Sequence, residues 1–233
     1  MTADTQIEQE EGGIFQRILR AAAVPTLSVI LALLIGGILI WISGSNPIEA
    51  YVALFQGAFG SSEAILRTLE KATPLIFGGL AVAFAFKAGL FNIGGQGQLL
   101  MGAIVAAYIG FAVDGLPFII HMPLALLAGS LAGALYASIA GFLKAYTGAH
   151  EVITTIMLNY IAINITDYLS NGPWKDEGII ARTPKILETA VIPKWAFMPA
   201  GFLIACFMAF ITWYLLYRTT WGYAIRTTGL NSN

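Results

Sequence analysis

VPTLSVILALLIGGILIWI, residues 24–42, is nineteen residues long and carries no charged side chain. About 20 apolar residues is the length an α-helix needs to cross the hydrocarbon core of a bilayer. This stretch is the core of a longer run, 21–48. Five more charge-free runs follow it: Ala72 to Phe86, Ala88 to Val113, Gly115 to Leu143, Val152 to Thr166 and Trp195 to Tyr217. Lipid offers the backbone no hydrogen bonds, so each run must satisfy its own peptide groups as a helix. None alternates apolar and polar residues as a membrane β-strand does. The sequence therefore predicts an all-α polytopic membrane protein with about six transmembrane helices.

Composition agrees. Of 233 residues 58% are hydrophobic and 11% charged, whereas a soluble domain carries about 25% charged residues. The formal net charge of −1 gives no basic surface for nucleic acid and no acidic tail. Cys206 stands alone in an apolar run, which excludes an internal disulfide framework and a cysteine-rich metal site. Residues 1–13 hold Asp4, Glu8, Glu10 and Glu11 and no base, so the first apolar run is expected to be retained rather than cleaved as a signal. Ile14, Phe15, Ile18 and Leu19 beside Arg17 and Arg20 suggest a short helix on the membrane surface. His150-Glu151 lacks the second His of a zinc-protease helix, and there is neither a Walker A loop nor a serine nucleophile elbow. No enzymatic activity, cofactor or metal is expected.

The connections carry helix and turn signals. Within 43–71, Asn46-Pro47 is followed by a second helix signal at Ser61-Ser62-Glu63, where Ile65, Leu66 and Leu69 oppose Glu63, Arg67, Glu70 and Lys71. That pattern predicts an interfacial helix leading into the second run. Residues 171–194, with Asn171-Gly172-Pro173, Pro184, Pro193 and seven charged residues, predict a solvated loop. Basic residues favour the cytoplasmic side. With the N-terminus inside, Arg17, Arg20, Lys87, Lys144, Arg218 and Arg226 lie inside and Arg67, Lys71, Lys175, Arg182, Lys185 and Lys194 outside, so charge alone leaves the orientation open.

Polar residues inside the runs point to a transport path. The second and fifth runs are short, and short or Gly-interrupted segments border the binding sites of transporters. The third opens on Gly89, Asn92, Gly94, Gly95, Gln96, Gly97 and Gln98. Clustered glycines release the backbone from helical geometry, and the side-chain amides offer both donors and acceptors to an uncharged ligand. A turn at the membrane surface beside Lys87 would have the same local sequence. In the fifth run Thr155, Asn159, Tyr160, Asn164, Thr166 and Asp167 cover roughly half of the helix circumference. Amides facing lipid are costly, so this half faces other helices or a cavity. Ala125, Gly129, Gly133, Ala137 and Gly141 recur every fourth residue, a stripe that permits close helix packing.

Three stretches share a further pattern: Leu66 to Gly102 with FNIGGQGQ at 91–98, HEVITTIMLNYIA at 150–162, and GYAIRTTGLN at 222–231. Together they resemble the permease subunits of ABC importers in the ribose and branched-chain amino acid permease family, nearest to its nucleoside or simple-sugar branch. The resemblance implies a permease for a small polar solute in the plasma membrane. Its partners would be a separate ABC ATPase, a second permease subunit and an extracytoplasmic substrate-binding protein.

Family members usually carry Glu where this chain has Gln96. Their cytoplasmic coupling segment, which docks on the ATPase, matches here at Gly222, Arg226, Gly229 and Asn231. That match places both chain ends inside and the loop 171–194 outside. It implies three regions: a cytoplasmic segment 1–20, a permease domain 21–217 and a coupling segment 218–233. Asn92, Gln96, Gln98, Asn159, Tyr160 and Asn164 are the candidate substrate-path residues. Family permeases continue past the coupling pattern, so the resemblance implies an N-terminal portion of a longer bundle. Two other readings fit the same residues: a secondary transporter or channel not coupled to ATP, and a membrane assembly subunit that transports nothing.

In a Cys206→Ser background, an impermeant thiol reagent added outside intact cells should label Lys175→Cys and not Thr228→Cys. Equal labelling of the two would contradict the topology.

Overall fold

The computed structural model describes residues 3–195 and 198–230. The chain divides into two compact units, Met1–Ile65 and Leu66–Asn233. Helix α1 spans Ala3–Ile42 and supplies the first of six helices that, among the described residues, are long and apolar enough to cross a membrane. Its successive residues Val29, Ile30 and Leu31 are all exposed, as suits a helix surrounded by lipid rather than by protein. The side chains of the surface-helix pattern at 14–20 lie outside the described residues.

Helix α2, Pro47–Phe59, forms in a stretch read from sequence as a connection. Asn46 caps it by accepting from the Ile48 N–H at 3.0 Å, and Pro47 occupies the first helical position. The helix returns along α1, where the Tyr51 hydroxyl donates to the Leu33 carbonyl. A Cβ on Gly36 would stand 3.1 Å from that hydroxyl.

Helix α3 runs unbroken over Ser62–Lys87, through Pro74. The interfacial helix expected at 61–71 is therefore the first part of this helix, not a separate element. The Ser61 hydroxyl accepts from the Ala64 N–H and starts it, and its first turns carry the charges of Glu63, Arg67, Glu70 and Lys71. The second run is thus not a short span, since α3 is 26 residues long. Nor is the fifth, because α6, Glu151–Asn171, has 21 residues and carries Asp167 within it.

Helix α4, Gly95–Ala112, begins seven residues later than the third charge-free run, because residues 88–94 are not helical. Helix α5 is Phe118–Thr147 and α7 is Ala200–Arg218. The start expected for the sixth span at Trp195 is displaced by two short antiparallel strands, β1 (Lys194–Trp195) and β2 (Met198–Pro199). Helix α8, Thr220–Leu230, closes the described chain.

Helix α4 is the hub, packed against α5 and α6. The crossing with α5 rests on glycine: a Cβ on Gly102 would stand 2.9 Å from the Gly129 carbonyl oxygen, and one on Gly129 2.8 Å from that of Gly102. Absent side chains let the two backbones touch, the small-residue packing typical of membrane helices. Gly133 continues this contact against the Gln98 carbonyl, whereas Gly141 has open space around it. The small-residue stripe is thus interface in its first half only.

The loop 171–193 is more than a solvated connection. Trp174 stacks on Tyr108 with ring centroids 4.5 Å apart, and the Leu187 N–H donates to the Gly110 carbonyl at 2.8 Å. His121, fully buried, bonds the Thr189 hydroxyl at 2.7 Å and the Ile109 carbonyl at 3.0 Å. These contacts fold the loop back over the ends of α4 and α5.

Candidate functional site

Residues 88–94 leave seven peptide units outside helix geometry between α3 and α4. Gly89 opens the break at φ +75, a conformation glycine adopts without steric penalty. The first N–H groups of α4 have no partner within their own helix, and Gly94, at the cap position, has no side chain to offer. The partner comes from α6. The Asn159 carboxamide oxygen accepts from the Gly97 N–H at 2.8 Å, and its nitrogen donates to the Ile93 carbonyl at 3.0 Å. The Ile93 N–H donates to the Thr155 hydroxyl at 3.4 Å. Gly97 is glycine because a Cβ there would lie 2.9 Å from the Asn159 oxygen and 3.2 Å from the Ala162 methyl.

Asn92 organises the break from inside. Its oxygen accepts from the Gly94 N–H at 2.8 Å and from the Gln98 amide at 3.3 Å. Asn92 and Gln98 then face a cavity of about 640 Å³ between α3, α5, α6 and α7. Across it lies the ion pair of Lys144 and Glu151, 2.7 Å apart, and Phe77 and Phe84 of α3 contribute aromatic wall. A second cavity, about 510 Å³, shares Phe77, Ala81 and Gln98 with the first. A third, about 570 Å³, shares Ala103, Ala106 and Leu126 with the second and reaches Glu70 and Thr73. The three follow α3 from its early turns to its end, and α3 has no buried residue.

The structure thus brings together Asn92, Gln98 and Asn159 and leaves the other three candidates apart. Gln96 is exposed and does not line the cavity of Asn92 and Gln98; it borders a hollow that shares Gly78, Gly95 and Leu99 with the second cavity. Tyr160 is exposed. Asn164 is exposed too, and its amide donates to the Tyr160 carbonyl of its own helix at 2.7 Å. Asn159 itself is committed to backbone groups. Lys144, Glu151, Phe77 and Phe84 were not singled out as path residues from sequence. The available signal was Gly148, whose left-handed φ of +69 ends α5 and turns the chain so that charges seven positions apart meet.

Past the end of α7 the chain turns sharply. A Cβ on Gly222 would overlap the carbonyls of Leu215 and Leu216, and the Gly222 N–H donates to the Thr219 hydroxyl at 3.1 Å. The Arg226 guanidinium lies 5.1 Å from the centre of the Tyr217 ring, and the Lys87 ammonium 6.0 Å from the same centre. Arg226 Nε also points at the Gly222 carbonyl at 3.4 Å. Gly229 packs directly on Gly89. Asn231 lies outside the described residues.

Residues 64–233 match the protein-family model described as "Branched-chain amino acid transport system / permease component". A guanosine ABC transporter permease protein of Bacillus subtilis is 40% identical over 218 residues, covering 90% of this chain and 62% of that protein. A nucleoside ABC transporter permease protein of Lactococcus lactis is 33% identical, covering 91% and 62%. A glucose ABC transporter permease protein of Haloferax volcanii is 32% identical, covering 91% and 59%. The chain therefore spans about three fifths of the length of these relatives. No solved structure matches it.

Removing the Asn159 carboxamide leaves the buried Gly97 N–H unsatisfied, a loss of about 1–3 kcal/mol. Asn159→Ala should therefore lower the thermal stability and membrane abundance of the chain, while Asn164→Ala should stay within about 0.5 kcal/mol of the parent. Thermal unfolding in detergent checks both, and equal effects would contradict the capping role.

Proposed function

The chain belongs to the family of permease components of branched-chain amino acid transport systems, and from that premise we propose that it forms the membrane path of an ATP-driven importer for an uncharged polar solute, a nucleoside or simple sugar. The observation that carries this reading is the cavity of about 640 Å³ walled by Asn92, Gln98 and the Lys144–Glu151 pair. Amides and a paired carboxylate can bond hydroxyls and ring nitrogens in either sense. The paired charges cancel, so neither an anion nor a cation gains from the site as a whole. Phe77 and Phe84 offer faces on which a base or sugar ring can pack. Similar proteins named for guanosine, nucleosides and glucose support the same solute class.

The chain would hydrolyse nothing itself. Basic residues are balanced between the two sides, so the orientation rests on the coupling pattern at Gly222, Arg226 and Gly229, which supports a cytoplasmic position for the ends of α3, α5 and α7 that carry Lys87, Lys144 and Arg218. Helix α8 then lies inside, where a separate ATPase would dock on the 218–233 segment. The loop 171–193 lies outside, where a substrate-binding protein would deliver its ligand. A second permease subunit would complete the path, and residues 1–20 and 21–217 would be the cytoplasmic lead and the membrane domain.

The test is uptake of labelled guanosine, with glucose as second probe, into vesicles holding the chain with its ATPase, partner permease and binding protein. Gln98→Leu keeps the side-chain bulk and removes a ligand hydrogen bond of about 0.5–1.5 kcal/mol, so uptake should fall about two- to twelvefold at unchanged membrane abundance. Uptake that needs no ATP would support a secondary transporter, and absence of any flux an assembly subunit.

A further inference from the structure

Helix α8 meets the α3–α4 break at Gly229, and the contact is backbone on backbone. A Cβ built on Gly229 would overlap the Lys87 carbonyl oxygen and stand 2.8 Å from the Gly89 nitrogen and 2.9 Å from the Ala88 carbonyl carbon. A Cβ built on Gly89 would stand 2.9 Å from the Gly229 Cα and 3.1 Å from its oxygen. No flexible side chain lies between the two segments to absorb a displacement, and packed interfaces switch between arrangements rather than deform smoothly. Beside the contact, Lys87 and Arg226 share the Tyr217 ring, which draws the ends of α3, α7 and α8 together. Gly89 precedes Leu90 and Asn92, and both of these line the cavity.

We propose that the contact of Gly229 on Gly89 is a relay by which movement of α8 reaches the cavity wall at Leu90 and Asn92. The proposal rests on the importer reading. It assigns Gly229 a positioning role directed into the permease, in place of a docking role toward the ATPase, and makes Arg226 the residue that holds α8 to Tyr217. An α8 displaced by a docked ATPase would carry Lys87 to Gly89 with it, and the amides at the inner end of the cavity would be opened or closed by the nucleotide state.

Two measurements on the assembled importer test it. Gly229→Ala puts a methyl group against the Lys87–Gly89 backbone. The ATP hydrolysed per guanosine or glucose carried should then rise on the order of tenfold, with the ATPase still bound on purification. A ratio equal to the parent's, or loss of the ATPase from the complex, would overturn the relay. The second measurement leaves both glycines intact. With Leu90→Cys in a Cys206→Ser background, the rate of maleimide modification should differ about fivefold or more between nucleotide-free and ATP-trapped complexes. An unchanged rate would overturn the relay even if Gly229→Ala fails to assemble. A parent complex that carries neither probe with ATP would instead overturn the importer reading, and the relay with it.

Discussion

A backbone that leaves helical geometry inside a packed bundle must find hydrogen-bond partners in neighbouring protein groups wherever water is shut out. At the end of the break Ile93 and the first turn of α4 meet that constraint through the two-sided bond of Asn159, with Thr155 one turn earlier on the same face of α6, while Ala88, Gly89 and Leu90 donate back to carbonyls of α3. Much else follows from it. Asn159 stands eight residues into α6, so the break and the start of α4 lie about 12 Å along that helix at 1.5 Å per residue. Helix α4 is correspondingly short, at 18 residues. Asn92 in the break and Gln98 in the first turn of α4 both line the cavity.

Glycine serves three different purposes around this core. At Gly102 and Gly129 it lets two membrane helices touch along their backbones, and at Gly222 it lets α8 turn back against the last turn of α7. At Gly89 and Gly229 it brings the turned helix onto the break itself. In each case the nearest atom is a backbone atom, so an added methyl group would require the backbone itself to shift. The same residue type at Gly141 meets open space, which shows that recurrence every fourth residue does not by itself identify an interface.

The membrane class was legible because lipid imposes a length and a composition on every span, and six charge-free runs became six apolar helices. The break was legible in part: Gly89 to Gly94 leave helical geometry as FNIGGQGQ suggests, but Gly95 to Gln98 are the first turn of α4 despite their two glycines. Helix ends were harder. Charge does not stop a helix, so α3 continues through Arg67, Glu70 and Lys71, and the signal at Asn46-Pro47 starts a helix, α2, whose extent to Phe59 was not read. Long-range partners were not legible. Asn159 and Gly97 are 62 residues apart and His121 and Thr189 are 68 apart, and nothing local says whether an amide in a helix serves a ligand or a neighbouring backbone. For Asn159 the backbone has both ends of the amide.

The claim on which the account turns is that α6 holds the break in place through Gly97, and amide hydrogen exchange of the purified chain in lipid nanodiscs, resolved to single residues, measures it directly. The account predicts that the Gly97 N–H exchanges as slowly as the interior of α6, because it is buried and bonded to Asn159. Exchange at Gly97 as fast as at the fully exposed Ile179 would contradict it.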